Sequence, residues 1–145
     1  MIRSATPTDA AALERLQSRL REPSPGLLDA ALDGTELAPA TALVSTVEVG
    51  EKRRSPVAYL LAVPGDGTVY VAELAVAPDH RREGRARALI EACAERVDGE
   101  SPTLTVTVAP DNEAAQSLYR ACGFDRARRL PDFFADGAAI LYRRD

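Results

Sequence analysis

The chain is poor in the residues that build metal centres and covalent frameworks. Its 145 residues include one histidine and two cysteines, so a zinc cluster has too few ligands. Cys93 and Cys122 stand alone, each on the apolar face of a predicted helix, and read as core thiols rather than a disulfide or a metal pair. Lysine is nearly absent. Lys52 is the single one, the other basic residues being arginine, a bias that reads as genomic composition rather than function. Positive charge is also not in excess: the net charge of −4 argues against a general nucleic-acid binder and is compatible with a salt-adapted host. No window approaches the length of a membrane span, and the stretch MIRSATPTDAAALERLQ has no long apolar region, so the expectation is a soluble cytoplasmic protein. Neither GxxxxGK[ST] nor GxGxxG occurs, which sets aside the Walker loop and the Rossmann fingerprint. Repeats, low-complexity tracts and linkers are missing as well, so residues 1–145 read as one domain with 46% hydrophobic and 28% charged residues.

What is present centres on Val69 to Val97. Val69 to Val76 is β-branched and apolar enough for a largely buried strand, which Pro78 ends. From Gly84 the period changes, with Leu89, Ile90, Cys93 and Val97 recurring at helical spacing. A helix N-terminus is thereby delivered at the C-terminal end of a strand, where free N–H groups and the helix dipole suit a diphosphate. Gly84 allows close backbone approach, small Ala86 keeps the first turn open, and Arg81, Arg82 and Arg85 add positive charge. An ordinary solvated turn is the plain alternative.

Along the chain, Ile2 to Ala5 reads as a first strand, and Thr8 as the cap of a helix carrying Ala11, Leu13, Leu16 and Leu20 up to Pro23. Leu27 to Leu32 is a second short helix, ended near Gly34. Ala42 to Val49 and Pro56 to Val63 alternate as strands around a charged hairpin, Lys52-Arg53-Arg54, and Pro64-Gly65-Asp66-Gly67 turns into the central strand. After Gly99, Thr103 to Val108 is again a strand. Asp111 or Asn112 then caps a helix with Ala115, Leu118, Tyr119 and Cys122 on one stripe, closed by Gly123. Phe124 to Leu130 and Ala138 to Arg143 form the last strands around Asp136-Gly137.

Two motifs and this order resemble one family. Arg81-x-x-Gly84-x-Ala86 is similar to the coenzyme A loop R/Q-x-x-G-x-G/A of the GNAT acetyltransferase superfamily, and Leu74-Ala75-Val76-x-Pro78 to its strand ending. Asn112-x-x-Ala115-x-x-Leu118-Tyr119-x-x-x-Gly123-Phe124 resembles the family's N-x-x-A-x-x-L-Y-x-x-x-G-F at full spacing. The resemblance implies an α/β (α+β) GNAT fold: a mixed, mostly antiparallel sheet of about seven strands, helices on both faces, and strands four and five splayed around a pantetheine arm. It implies acetyl-CoA as co-substrate and no metal. The backbone of Leu74, Ala75 and Val76 would meet the arm, with the Val76 N–H stabilising the thioester oxyanion. Amides of Arg81, Arg82, Glu83, Gly84, Arg85 and Ala86 would hold the diphosphate, and Asn112 would contact the arm. The Tyr119 hydroxyl would protonate the leaving thiolate; read without the motif, Tyr119 is a core tyrosine on a helical stripe.

The general base is less readable. N-terminal acetyltransferases of this type place Glu or His five residues before the asparagine, where this chain has Thr107. Tyr70 occupies a position that some relatives use for a base, and Glu73 is the one carboxylate on that strand; a core tyrosine and a surface glutamate are the plain alternatives. In a regular strand the two face opposite sides and do not cooperate. His80 reads as a rim residue. A site without a strong base suits an α-amine, about a tenth neutral at pH 7, better than a lysine, neutral in roughly a few parts in ten thousand. The tail Arg128-Arg129-Leu130-Pro131-Asp132-Phe133-Phe134, with Gly137 and Ala139, looks like the R-x-x-x-Y-Y-x-x-G-x-A ending of ribosomal-protein-alanine and archaeal N-terminal acetyltransferases. There the aromatic pair lines a peptide slot; both are Phe here, and packing in the last hairpin is the plain alternative. The leading expectation is an acetyl-CoA-dependent N-acetyltransferase acting directly on a primary amine, favouring a protein N-terminal α-amine, with no nucleic acid or membrane partner. A small-molecule amine acceptor and a non-catalytic acyl-CoA-binding module are the rivals, and a homodimer is left open.

Overall fold

Alternating apolar residues build a sheet whose two faces are both covered. The computed structural model describes residues 1–20, 23–33, 40–51, 53–65, 67–96, 103–134 and 137–145; the sequence features at Gly34, Lys52, Asp66, Val97, Gly99 and Asp136 lie outside the described residues. The strands are β1 (Ile2–Ser4), β2 (Thr41–Glu48), β3 (Arg54–Pro64), β4 (Thr68–Val76), β5 (Thr103–Val108), β6 (Asp125–Phe134) and β7 (Gly137–Arg144). They form one seven-stranded sheet in the order β1-β2-β3-β4-β5-β7-β6 among the described residues. Every neighbouring pair is antiparallel except β4 and β5, which run parallel. The parallel pair needs a crossover, supplied by α3 (Arg85–Arg96).

The helices divide between the faces. On one side α3 and α4 (Glu113–Ala121) pack Leu89, Ile90, Cys93 and Cys122 against Leu60, Val69, Val71, Leu104 and Val106. On the other, α1 (Ala10–Gln17) and α2 (Pro25–Leu32) pack Leu13, Leu16, Leu28 and Leu32 against Val44, Tyr59 and Leu61. Each such side chain removed from water contributes about 1.5–3 kcal/mol, so both layers are held by apolar burial. Cys93 and Cys122 are free thiols within the first layer, as their helical positions predict. Among the described residues no helix is long and apolar enough to cross a membrane.

The start of α1 differs from the sequence expectation. A single turn, Pro7–Asp9, precedes the helix. Asp9, not Thr8, organises it: its carboxylate accepts from the Thr6 N–H at 2.8 Å and from both arms of the Arg3 guanidinium at 2.8 and 2.9 Å. Thr8 instead shares a 2.7 Å hydrogen bond with the Thr6 hydroxyl. The helix ends at Gln17, so Leu20 lies past it rather than on its stripe. The hydrogen bond from Arg3 holds the Asp9 carboxyl below the usual carboxylate range against the opposing effect of burial. A depressed carboxyl stabilises the fold fully above its unfolded value of ~3.9, and that contribution disappears as pH falls through the folded value. Asp9→Ala is expected to cost ~1–3 kcal/mol at pH 7 by urea denaturation, with the gap to the parent narrowing below pH ~4.

Two irregularities shape the centre of the sheet. Backbone pairing of β4 with β5 runs from Thr68↔Thr103 to Val71↔Val106 and goes no further, so the strands part toward their C-terminal ends. Within β4, Leu61 of β3 faces Glu73 while Ala62 faces Val71, leaving Ala72 as the extra residue of a β-bulge.

Candidate active site

The bulge changes which side chains share a face. Before it, Val69 and Val71 point into the layer under α3 and α4; after it, Leu74 and Val76 do, so the parity reverses. Tyr70 and Glu73, an odd number apart, therefore both face α1 and α2, which corrects the expectation of opposite faces. The gap between the parted strands opens into a cleft of about 630 Å³ lined by residues from both faces of the sheet. On the α4 side it is lined by Asn112, Ala115 and Tyr119. On the α1–α2 side the lining is Arg19, Leu20, Pro23, Ser24 and Leu27, together with Tyr70, Glu73 and Thr107. Phe133 and Phe134 also line it. Of the coenzyme-site residues expected from sequence, Leu74, Asn112 and Tyr119 line this cleft, whereas Ala75, Val76 and residues 81–86 lie beyond its walls.

Strand alternation explains how β4 can meet a pantetheine-like arm. The Ala77 N–H donates to Val57 of β3 at 2.8 Å, so the polar groups of Val76 and Leu74 point the other way, into the space β5 has left. Past the strand end, Arg82 has φ +64° and Gly84 φ +77°, on either side of Glu83. Such left-handed residues curve successive N–H groups into an anion-binding concavity. The first bond of α3 is Ala88 N–H to the Gly84 carbonyl at 3.0 Å, which leaves the N–H groups of Arg85, Ala86 and Arg87 without helical acceptors. The arginines divide. Arg81 donates its Nε to the Val76 carbonyl at 3.2 Å, and Arg85 bridges Glu83 at 2.9 Å and the Ser45 hydroxyl at 2.9 Å. That bond from Arg85, more than the one from His80, holds the Glu83 carboxyl below its ordinary range. Its charge beside the concavity is thus met locally. His80 sits 3.1 Å from Glu83 on the rim, away from the cleft lining.

Helix α4 presents the second motif. Asn112 is its N-cap, settling the choice with Asp111: the side-chain oxygen accepts from the Ala115 N–H at 3.2 Å. Its amide nitrogen makes no hydrogen bond among the described residues and belongs to the cleft wall. The turn before it is held from inside by Gln116, which donates to the Pro110 carbonyl at 2.8 Å and accepts from the Tyr142 hydroxyl at 3.0 Å. Tyr119 is 7% exposed, packs edge-on to Phe124 at 5.4 Å, and makes no hydrogen bond through its hydroxyl among the described residues. Burial raises its hydroxyl above the usual phenol range, so it stays protonated at neutral pH.

On the other face Glu73 is 4% exposed, so the plain reading as a surface glutamate does not hold. Its carboxylate accepts from Gln17 Nε2 at 3.0 and 3.1 Å, from the Tyr59 hydroxyl at 3.0 Å and from the Ser24 N–H. Burial first, then the Glu73 charge and the bond to it, push the Tyr59 hydroxyl far up and keep it a donor. The Tyr70 hydroxyl shares a 2.6 Å hydrogen bond with Thr107 across the opening wedge. Gln17, Tyr59 and Ser24 escaped the sequence reading because they reach Glu73 from 56, 14 and 49 residues away. The Phe pair reaches the cleft by a second irregularity. Pairing of β6 with β7 skips from Leu130 to Phe134 around Asp132 at φ +55°, on an edge strand where Pro131 is tolerated.

Residues 9–124 match the Acetyltransferase (GNAT) family. The chain is 37% identical over 97 residues to a mycothiol acetyltransferase of Clavibacter michiganensis subsp. michiganensis, covering 67% of this chain and 29% of that protein. It thus spans less than a third of the length of the curated relatives it matches. Among solved structures, Arabidopsis thaliana NAA60 in complex with a bisubstrate analogue superposes with a TM-score of 0.82 at 18% identity, covering 99% of this chain and 95% of that one. NAA60 has also been solved in complex with acetyl-CoA. The ribosomal-protein-S18-alanine N-acetyltransferase from Escherichia coli superposes at 0.78 with 23% identity, covering 99% and 92%. Likeness at such identities shows a shared fold. The family match, by contrast, takes in β4, the loop 81–86 and the whole of α4, and by it the chain belongs to the GNAT family of acetyltransferases.

Proposed function

We propose that the protein transfers an acetyl group from acetyl-CoA directly to a weakly basic primary amine, with the α-amine of a polypeptide N-terminus as the acceptor. One observation carries the reading: Asn112 and Tyr119 from one side of the sheet and Tyr70 and Glu73 from the other line a single cleft. Donor and acceptor entering from opposite faces meet there without a covalent enzyme intermediate. Acetyl-CoA supplies the thioester whose acetyl carbon the amine attacks. The N–H groups at Arg85, Ala86 and Arg87, with the curved backbone before them, hold its diphosphate. The Asn112 amide and the backbone of Leu74 and Val76 fix the arm, the Val76 N–H lies where an oxyanion develops, and Tyr119 gives a proton to the departing thiolate. Tyr70 and Thr107, as a paired hydroxyl couple, orient the incoming amine.

The acceptor class follows from charge. Glu73 is the one carboxylate among the described lining residues, and its oxygens are already engaged. That supports an amine which is neutral in useful amount without help. Accordingly kcat/KM is expected to rise about tenfold per pH unit below the acceptor's own pKa of ~8 and to level above it. With a lysine side chain the rise would continue to pH ~10. The extended wall of Leu20, Pro23, Leu27 and the Phe pair supports a peptide chain. The curated relatives favour a second reading, a small-molecule amine as acceptor, since they carry the name mycothiol acetyltransferase and not that of a protein-modifying enzyme. Mass spectrometry of the protein incubated with acetyl-CoA, a peptide library with free N-termini and a panel of small amines separates the two. Acetylated peptide α-amines support the proposal, acetylated small amines alone select the second reading, and coenzyme binding without any product points to a non-catalytic module.

A further inference from the structure

Glu73 sits at the acceptor side of the cleft, yet its geometry is that of a tie. Its carboxylate joins four elements. Gln17 is the last residue of α1, Ser24 precedes the first residue of α2, Tyr59 lies on β3, and Glu73 itself is on β4. Ser24 is held by both of its backbone polar groups: its carbonyl accepts from the N–H groups of Leu27 and Leu28 at 3.1 and 3.2 Å, while its N–H donates to Glu73. The carboxylate therefore lies at the start of α2, where negative charge is favoured by the helix dipole. Gln17 and Ser24, on either side of the stretch between α1 and α2, are fastened to one side chain, and Arg19, Leu20, Pro23 and Ser24 of that stretch line the acceptor side of the cleft. The bulge at Ala72 is what aims Glu73 there.

We infer that Glu73 is a positioning residue, a latch that ties Gln17 at the end of α1 to Ser24 at the start of α2 and so holds the lining residues Leu20, Pro23 and Leu27 where they receive the acceptor, and that it does not take the amine's proton. The inference rests on the acetyl-transfer reading only for where its effect appears in kinetics. Each carboxylate oxygen accepts from two donors, Gln17 and Tyr59 at one and Gln17 and Ser24 at the other, so an amine's proton would have to compete with donors already in place. The latch and a base predict different behaviour.

The test uses Glu73→Gln and, as a variant that removes no ionisable group, Gln17→Leu. With the latch, both raise the acceptor KM about tenfold, the loss of one charge-assisted hydrogen bond, and leave the acetyl-CoA KM within about twofold. Both also keep the parent's pH profile, and backbone hydrogen exchange at Ser24 and along α2 quickens. A base predicts that Glu73→Gln lowers kcat by about a hundredfold or more and removes the profile's acidic limb while Gln17→Leu changes nothing; that pattern overturns the inference. Unchanged exchange in both variants overturns it too. Exchange is read without substrate, so a parent that acetylates no amine refutes the proposed activity and still leaves the latch decided. Should Glu73→Gln fail to fold, Gln17→Leu gives the same readouts.

Discussion

Gly84→Glu is expected to weaken coenzyme A binding at least a hundredfold while leaving the chain folded. The glycine is needed for its backbone angle, not for space. At φ +77° an L side chain is strained, yet a Cβ built there meets no atom within 4 Å, so nothing in the core is displaced. The strain costs about 1–2 kcal/mol, partly offset by placing a carboxylate just before the first turn of α3. The same carboxylate would fall among the N–H groups of Arg85, Ala86 and Arg87 and fill the site proposed for the diphosphate. Gly84→Ala carries the strain without the charge and is expected to lose only about fivefold to tenfold, the effect of ~1 kcal/mol. Titration calorimetry with coenzyme A measures both, and thermal unfolding verifies the fold. Parent-like binding by Gly84→Glu would place the diphosphate somewhere other than this loop.

The contrast between what the sequence discloses and what it conceals follows the range of the interactions. The loop chemistry is local: Arg81, Gly84 and Ala86 lie within six residues, and their roles depend on the backbone angles of their own turn. Asn112, Ala115 and Tyr119 are likewise set by helical spacing from one cap, and the structure places the cap where the motif requires it. The meander β2–β3–β4 follows from alternation and turn residues, whereas the parting of β4 and β5 is an expectation of the family resemblance alone. The acceptor half is different. Its geometry depends on one extra residue, Ala72, whose insertion reverses the parity of β4 and brings Tyr70 and Glu73 to one face. Nothing in VYVAELAV marks that residue, since an alanine sits as well in a regular strand as in a bulge. The partners of Glu73 come from three other elements, so its burial was invisible in the strand that carries it. Thr8 misled for a smaller reason: a threonine before a helix is a good cap, but Asp9 next to it offers a carboxylate that Arg3 can fork.

The same asymmetry governs the prediction on Tyr119. Tyr119→Phe is expected to lower kcat about a hundredfold or more and to leave the dissociation constant for coenzyme A within about twofold. The ring is kept, so the edge-on packing against Phe124 at 5.4 Å and the place of the side chain in the core layer survive. What is lost is one hydroxyl, at the cleft wall and with no hydrogen-bond partner among the described residues. Under the proposed mechanism the hydroxyl gains its hydrogen-bond partner, the departing thiolate, only as the reaction proceeds, so its loss falls on the chemical step and not on binding. Because burial raises its pKa, the group remains protonated well past neutrality, so the parent is expected to show no descending limb from it below pH ~10. Rapid-quench measurement of a single turnover distinguishes the roles. A slowed chemical step with unchanged coenzyme affinity identifies the proton donor. Equal losses in affinity and turnover make Tyr119 a binding residue, and full activity removes it from the reaction, leaving water in the cleft to protonate the thiolate.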